Sequence, residues 1–273
     1  MDVTNDLEEF LGWVRPGDVI AFDTLKAVSG LVQWADNAPV NHVGLMIDQA
    51  TLAMANEPPH DKPDDPVVSY NALAGLLAPG TKSRAAQILR HPGLGDAELA
   101  RLRTQAQRFQ SLPADFASGD MFALLPSALG RSYRDFDELN AWQSRLLRKL
   151  IRAFHRAGAA ALDRIPDDAR TLTCSEFVYR CLTGAGLDLD IAEPLGGELP
   201  DKDPFDRKMS RRDGDYWAAH REHNLKARAL KATDDAPDEA TCDPPTPERV
   251  TPGDFWRSPS LDPVGYFVKT PPR

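Results

Sequence analysis

The stretch Leu172-Thr173-Cys174-Ser175-Glu176-Phe177-Val178-Tyr179 decides how the rest of the chain is read. It predicts a helix that begins near Thr173 and runs to Leu182, stopped by Gly184 and Gly186. Cys174 then falls at the helix start, where unsatisfied N–H groups and the helix dipole stabilise an anion. A thiolate placed there has a lowered pKa and is a better nucleophile at neutral pH. The competing reading is that a free cysteine behaves as a small hydrophobe and simply packs. A base and an orienting group are needed to choose between them.

Upstream, the chain reads as a meander of short strands. Arg15-Pro16-Gly17-Asp18 is a turn signal followed by the apolar run Val19-Ile20-Ala21-Phe22. Val43-Gly44-Leu45-Met46-Ile47 is the clearest strand, and Thr51 to Ala55 is a weaker one closed by Asn56-Glu57-Pro58-Pro59. A short extended piece starts at Val67-Val68, and Ala85 to Arg90 reads as a further strand. His42 stands at the mouth of the clearest strand, where a rigid sheet could aim its imidazole at a helix N-terminus packed alongside. Taken alone, a lone histidine there is more simply a satisfied edge residue. Glu57 is the candidate to fix the imidazole tautomer, with Asn56 and Asp48 as alternatives.

From residue 96 the period becomes helical: Leu99, Leu102, Ala106 and Phe109 recur behind Asp96, a capping residue. A second helix over residues 139–156 carries Leu139, Trp142, Leu146, Leu150 and Phe154 on one stripe. Its other face holds Arg145, Arg148, Lys149, Arg152 and Arg156. Residues 201–249 are polar and clustered in charge, as expected of a linker or excursion, partly disordered. Thr251 to Trp256 marks the return of order, and Val264 to Val268 reads as a last strand.

Composition narrows the function classes. With 273 residues, 42% hydrophobic and 27% charged, the chain has enough apolar material for one sizeable domain, and the mix excludes a wholly disordered or fibrous protein. A net charge of -9 argues against a nucleic-acid binder, which needs a basic footprint. Over residues 101–160, however, Lys and Arg outnumber Asp and Glu by ten to five, a basic island between acidic flanks. Helix 139–156 is therefore a candidate contact for an anionic membrane surface or an acidic partner, against the plainer reading of a solvated face. The start of the chain lacks the pattern of a secretory signal, and no apolar run approaches the ~20 residues of a membrane span. A cytoplasmic location is the expectation, with signal-independent export left open. The three cysteines make no disulfide framework or zinc signature, and His155, His220 and His223 have no partners at metal-ligand spacing, so no cofactor or metal is expected.

The order of the segments is more specific than any one of them. Arg15-Pro16-Gly17-Asp18-Val19-Ile20, Asn41-His42-Val43-Gly44-Leu45, Glu57, Cys174-Ser175-Glu176-Phe177-Val178 and Thr251-Pro252-Gly253-Asp254 together resemble the circularly permuted NlpC-like papain superfamily, particularly its YiiX-like bacterial members. In unpermuted relatives the Cys helix precedes the His strand; here the His strand comes first. Lecithin:retinol acyltransferase-like enzymes share this order, but the His-Trp pair common in that group is replaced here by His42-Val43. The resemblance implies an α+β permuted papain-like domain spanning residues 1–273. It has a small antiparallel sheet on the Cys helix, with residues 96–165 as a basic helical insertion. It also implies Cys174 as nucleophile, His42 as base and Glu57 as the third polar residue. The backbone N–H of Cys174 or Ser175 is the oxyanion donor candidate. The expected substrate is an amide or ester (peptide, peptidoglycan fragment or lipid), cleaved through a Cys acyl-enzyme. Acyl transfer to an amine or hydroxyl, or a catalytically silent binding module of the same fold, are the alternatives. Cys181 is expected to pack, Cys242 to be incidental, and Asp18 to shape its loop.

Overall fold

In the computed structural model, which describes residues 2–25, 38–56, 65–112, 115–116, 171–191, 247 and 250–269, the apolar segments pair into one principal sheet. Nine strands occur among the described residues: β1 (Asp2–Thr4), β2 (Val19–Thr24), β3 (His42–Met46), β4 (Thr51–Ala55), β5 (Val68–Ala72), β6 (Ser83–Arg90), β7 (Asp115–Phe116), β8 (Thr171–Leu172) and β9 (Asp262–Val268). Seven form the sheet in the order β1-β9-β6-β2-β3-β4-β5, and β7 pairs with β8 in parallel by themselves. Every neighbour in the large sheet is antiparallel except the parallel pair β1 and β9. Five helices accompany them: α1 (Leu7–Trp13), α2 (Leu73–Leu77), α3 (Asp96–Ser111), α4 (Cys174–Gly184) and α5 (Pro252–Arg257). The class is α+β.

Both faces of the sheet are covered, which explains why β2, Val-Ile-Ala-Phe-Asp-Thr, is buried along its whole length rather than alternating. On one face Ile20, Phe22, Met46, Leu52 and Ile88 meet Phe10 and Val14 of the α1 region and Leu73 and Leu77 of α2. On the other, Val19, Ala21, Val43, Leu45 and Ala53 meet Leu102 and Ala106 of α3, Phe177, Val178 and Cys181 of α4, and Phe255 and Trp256 of α5. Each large apolar side chain buried this way contributes about 1.5–3 kcal/mol. The α4 side chains in this core therefore anchor that helix over β3 and β4.

One turn holds the frame in register. Gly17 adopts φ +87, the left-handed region that a side chain disfavours, and a Cβ there would collide with the Leu94 side chain. Asp18 beside it is fully buried. Its carboxylate accepts from Arg15 N at 2.7 Å and from Arg90 Nε and Nη2 at 2.7 and 2.8 Å, so the turn is clamped to β6. Burial raises the Asp18 carboxyl above its usual range while the bonds from Arg90 and Arg15 pull it back. Asp18 thus shapes the loop, as expected.

Several boundaries differ from the sequence expectation. The short acidic lead before Arg15, a candidate helix on sequence, divides into strand β1 and helix α1, because Asp6 caps the helix by accepting from Glu8 N and Glu9 N while residues 2–4 pair with β9, far away in the chain. The N-cap of α3 is Gly95, so Asp96 is its first residue and not its cap; Glu98 Oε2 accepts from Gly95 N at 3.2 Å instead. Helix α3 also joins the core through Leu102 and Ala106, and Arg101 Nε donates to Ala185 O at 2.8 Å, tying it to the end of α4. The first helix of the expected insertion is therefore part of the frame. The sheet is larger than the small one anticipated. Helix 139–156, Cys242, His155, His220, His223 and nearly all of residues 201–249 lie outside the described residues. No helix among the described residues is long and apolar enough to cross a membrane.

Candidate active site

Cys174 is the first residue of α4 and is 6% exposed. The two-residue strand β8 delivers the chain to Thr173, whose extended backbone (φ -89, ψ 163) and side chain cap the helix, Oγ1 accepting from Glu176 N at 3.1 Å. Glu176 in turn accepts from Arg180 Nε at 2.8 Å, an ion pair one turn along the helix. The Ser175 hydroxyl donates to Val250 O at 2.6 Å and lies 3.3 Å from Thr173 Oγ1. With its hydroxyl committed in this way, any contribution of Ser175 to an oxyanion comes from its backbone N–H.

Helix α4 packs against β3 and β4, so the elements carrying Cys174 and His42 are brought together. His42 is the first residue of β3 and is 8% exposed. It pairs with Phe22 across the β2–β3 ladder, the two ring centroids 6.3 Å apart. Val43 and Leu45 turn into the layer that holds Cys174, while Phe22 and Met46 join the opposite one, and the ladder sets His42 on the Phe22 side, at the first position of the strand. Gly44 lies between Val43 and Leu45, and a Cβ there would stand 2.9 Å from Leu52 Cδ2 and 3.1 Å from Ala53 O, so its lack of a side chain lets β4 approach closely.

The three candidates for the orienting group fall in different places. Asp48 lies beyond the end of β3 opposite to His42, and its Oδ1 accepts from Ala50 N and Thr51 N at 2.8 and 2.7 Å. Those backbone bonds, Ala50 first, lower its carboxyl. It closes the β3–β4 turn and stands away from the site, since the strand alone spans roughly 13 Å. Asn56 is better placed: the register Leu45↔Ala53 and Met46↔Leu52, carried back along the strands, sets residue 56 opposite His42. Its Nδ2 is 3.5 Å from Ser69 Oγ, and its backbone N–H donates to Val67 O at 2.9 Å. Glu57 lies outside the described residues.

Two polar groupings around the site were not assigned from the sequence. One is the start of α5, where Thr251 Oγ1 accepts from Asp254 N while Asp254 Oδ2 accepts from Thr251 N at 2.8 Å, and Arg257 Nη2 pairs with Asp254 Oδ1 at 3.2 Å. Only the Thr-Pro-Gly-Asp spacing hinted at it. The other lies on the sheet face shared with Cys174: buried Asp23, salt-bridged to Arg84 at 2.6 Å, with Gln87 and Tyr266 beside it on neighbouring strands. Burial, reinforced by the Asp23 charge, pushes the Tyr266 phenol well above its ordinary range.

Cys181, fully buried two turns along α4, packs as expected, and burial pushes its thiol well above the ordinary thiol range. Such a thiol is inert as a nucleophile. Among the described residues there is no group of three or more His, Cys, Asp or Glu side chains able to hold a metal ion. No family model matches the sequence, and no curated protein matches it.

Proposed function

We propose that the protein is a thiol hydrolase of the permuted papain-like type, cleaving an amide or ester bond through an acyl-enzyme on Cys174. The observation that carries this reading is the placement of Cys174 at the capped start of an eleven-residue helix packed on the strand that His42 opens. Helix-start N–H groups and dipole favour the thiolate and supply donors for an oxyanion. His42, at the strand's end, is the base, and the end of β4 supplies the orienting group. Glu57 is the residue that the family resemblance favours, and Asn56 is the one that the register sets opposite His42.

The chemistry balances without a cofactor. His42 takes the proton of Cys174, and sulfur attacks the substrate carbonyl carbon, whose oxygen becomes the oxyanion facing the N–H of Cys174 or Ser175. Collapse expels the amine or alkoxide, which leaves with the proton from His42. Water, deprotonated by His42, then attacks the thioester and releases the acid and the thiol. An amine or hydroxyl in place of that water gives acyl transfer.

The test uses p-nitrophenyl acetate as donor. A burst of nitrophenolate with an acetyl adduct on the Cys174 peptide is expected, absent in Cys174→Ala and at least about a hundredfold slower in His42→Ala. An unchanged burst in Cys174→Ala would sink the reading. Product analysis with and without an added amine separates hydrolysis from transfer.

A further inference from the structure

Asn41 immediately precedes β3, and its side chain does something a strand backbone normally does. The β2–β3 ladder pairs Phe22 with His42, so the next partner of Thr24, the last residue of β2, would be residue 40. Val40 lies outside β3. In its place the Asn41 side-chain amide pairs with Thr24: Oδ1 accepts from Thr24 N at 3.2 Å, and Nδ2 donates to Thr24 O at 3.1 Å. Thr24 Oγ1 adds a third bond to Asn41 Oδ1 at 2.7 Å, and the Asn41 backbone N–H donates to Phe22 O at 2.9 Å.

A primary amide presents the same donor and acceptor as a peptide group, so it extends the ladder one step beyond the chain's own backbone. An aspartate would keep the acceptor and lose the donor, leaving the Thr24 carbonyl against a carboxylate. Thr24 is also anchored on its far side, since it pairs with Ser83 and the following Leu25 N donates to Lys82 O at 2.8 Å. The Asn41 side chain, together with its backbone N–H on Phe22 O, therefore ties the peptide that precedes His42 to the sheet centre, at the point where the chain after Leu25 rejoins the sheet.

We infer that Asn41 is the positioning residue for His42: its amide-for-backbone bridge to Thr24 fixes the first residue of β3, from which the imidazole reaches round the strand end to exchange a proton with Cys174. This rests on the Cys174–His42 reading above. Small displacements of a proton acceptor are costly, with about a hundredfold loss for an error near 1 Å.

The experiment measures the rate of Cys174 alkylation by iodoacetamide against pH, with the site assigned by mass spectrometry, in the full-length chain. Asn41→Ala and Asn41→Asp are expected to slow the reaction at pH 7 by about tenfold or more and to shift the pH profile toward that of an ordinary thiol. Thr24→Val, which keeps both amide-to-backbone bonds, is expected to lose less than about threefold. A structural clasp alone would lower thermal stability and leave the profile in place. Asn41→Asp, isosteric and retaining two of the three side-chain bonds, serves where Asn41→Ala does not fold. Wild-type profiles in the folded Asn41 variants, with His42→Ala shifted, would overturn the role of Asn41 alone. A wild-type profile in His42→Ala would overturn the Cys174–His42 reading and this inference with it.

Discussion

Helices α4 and α5 begin with the same device. Thr173 (φ -89, ψ 163) and Thr251 (φ -110, ψ 162) are both extended, both buried, and each accepts the N–H three residues on. They differ at the next position. Helix α4 places Cys174 there, with a thiol and a backbone N–H, whereas α5 places Pro252, which has neither. In α5 the acidic residue of the first turn, Asp254, folds back on Thr251 N and pairs with Arg257. In α4 the corresponding Glu176 reaches forward to Arg180. One cap thus opens onto groups that chemistry can use, and the other closes on itself as a brace. The two are joined, since Ser175 donates to Val250 just ahead of the second cap. A helix N-terminus is raw material for a site; the side chain at its first position decides whether it becomes one.

Substitution at the first positions gives the largest contrast. Cys174→Ala is expected to abolish acyl-adduct formation while leaving thermal stability nearly unchanged, and Pro252→Ala is expected to leave adduct formation intact and cost under about 1 kcal/mol in chemical denaturation. Next comes the brace. Asp254 and Arg257 are 3% and 5% exposed, so Asp254→Ala breaks a buried ion pair and should cost about 3–5 kcal/mol, read as a lower denaturation midpoint. Removal of the caps is the smallest and most discriminating change. Thr173→Ala and Thr251→Ala should each cost about 1 kcal/mol. Only Thr173→Ala should also slow alkylation of Cys174, because only that cap sets the helix start on which the thiol sits. Equal effects of the two on alkylation would erase the distinction.

Much of the frame was legible from local pattern. Val19 to Phe22, Val43 to Met46, Thr51 to Ala55 and Ala85 to Arg90 all become strands, and the helix from Thr173 onward starts where expected, because short apolar runs and turn residues act locally. Strand β1 was not legible: three residues acquire a partner in β9, near the other end of the chain, and nothing local announces it. The Gly95 cap of α3 was hidden because Asp96 is the stronger capping residue by type, yet Glu98 already satisfies Gly95 N. Within the candidate site, Cys174 and His42 stood out by chemical type and setting. Asn41 did not, because an asparagine that stands in for a backbone looks like any turn residue until the register is known. The placement of Asp48 at the wrong end of β3 likewise needed the strand direction.

The pH dependence of Cys174 alkylation reads the pairing of Cys174 with His42. In the wild-type protein the midpoint should lie below the ~8.5 of an ordinary cysteine, and His42→Ala should raise it toward that value, since an imidazolium favours the thiolate. A wild-type midpoint at ~8.5 or above, unmoved by His42→Ala, would show that Cys174 and His42 do not act as a pair.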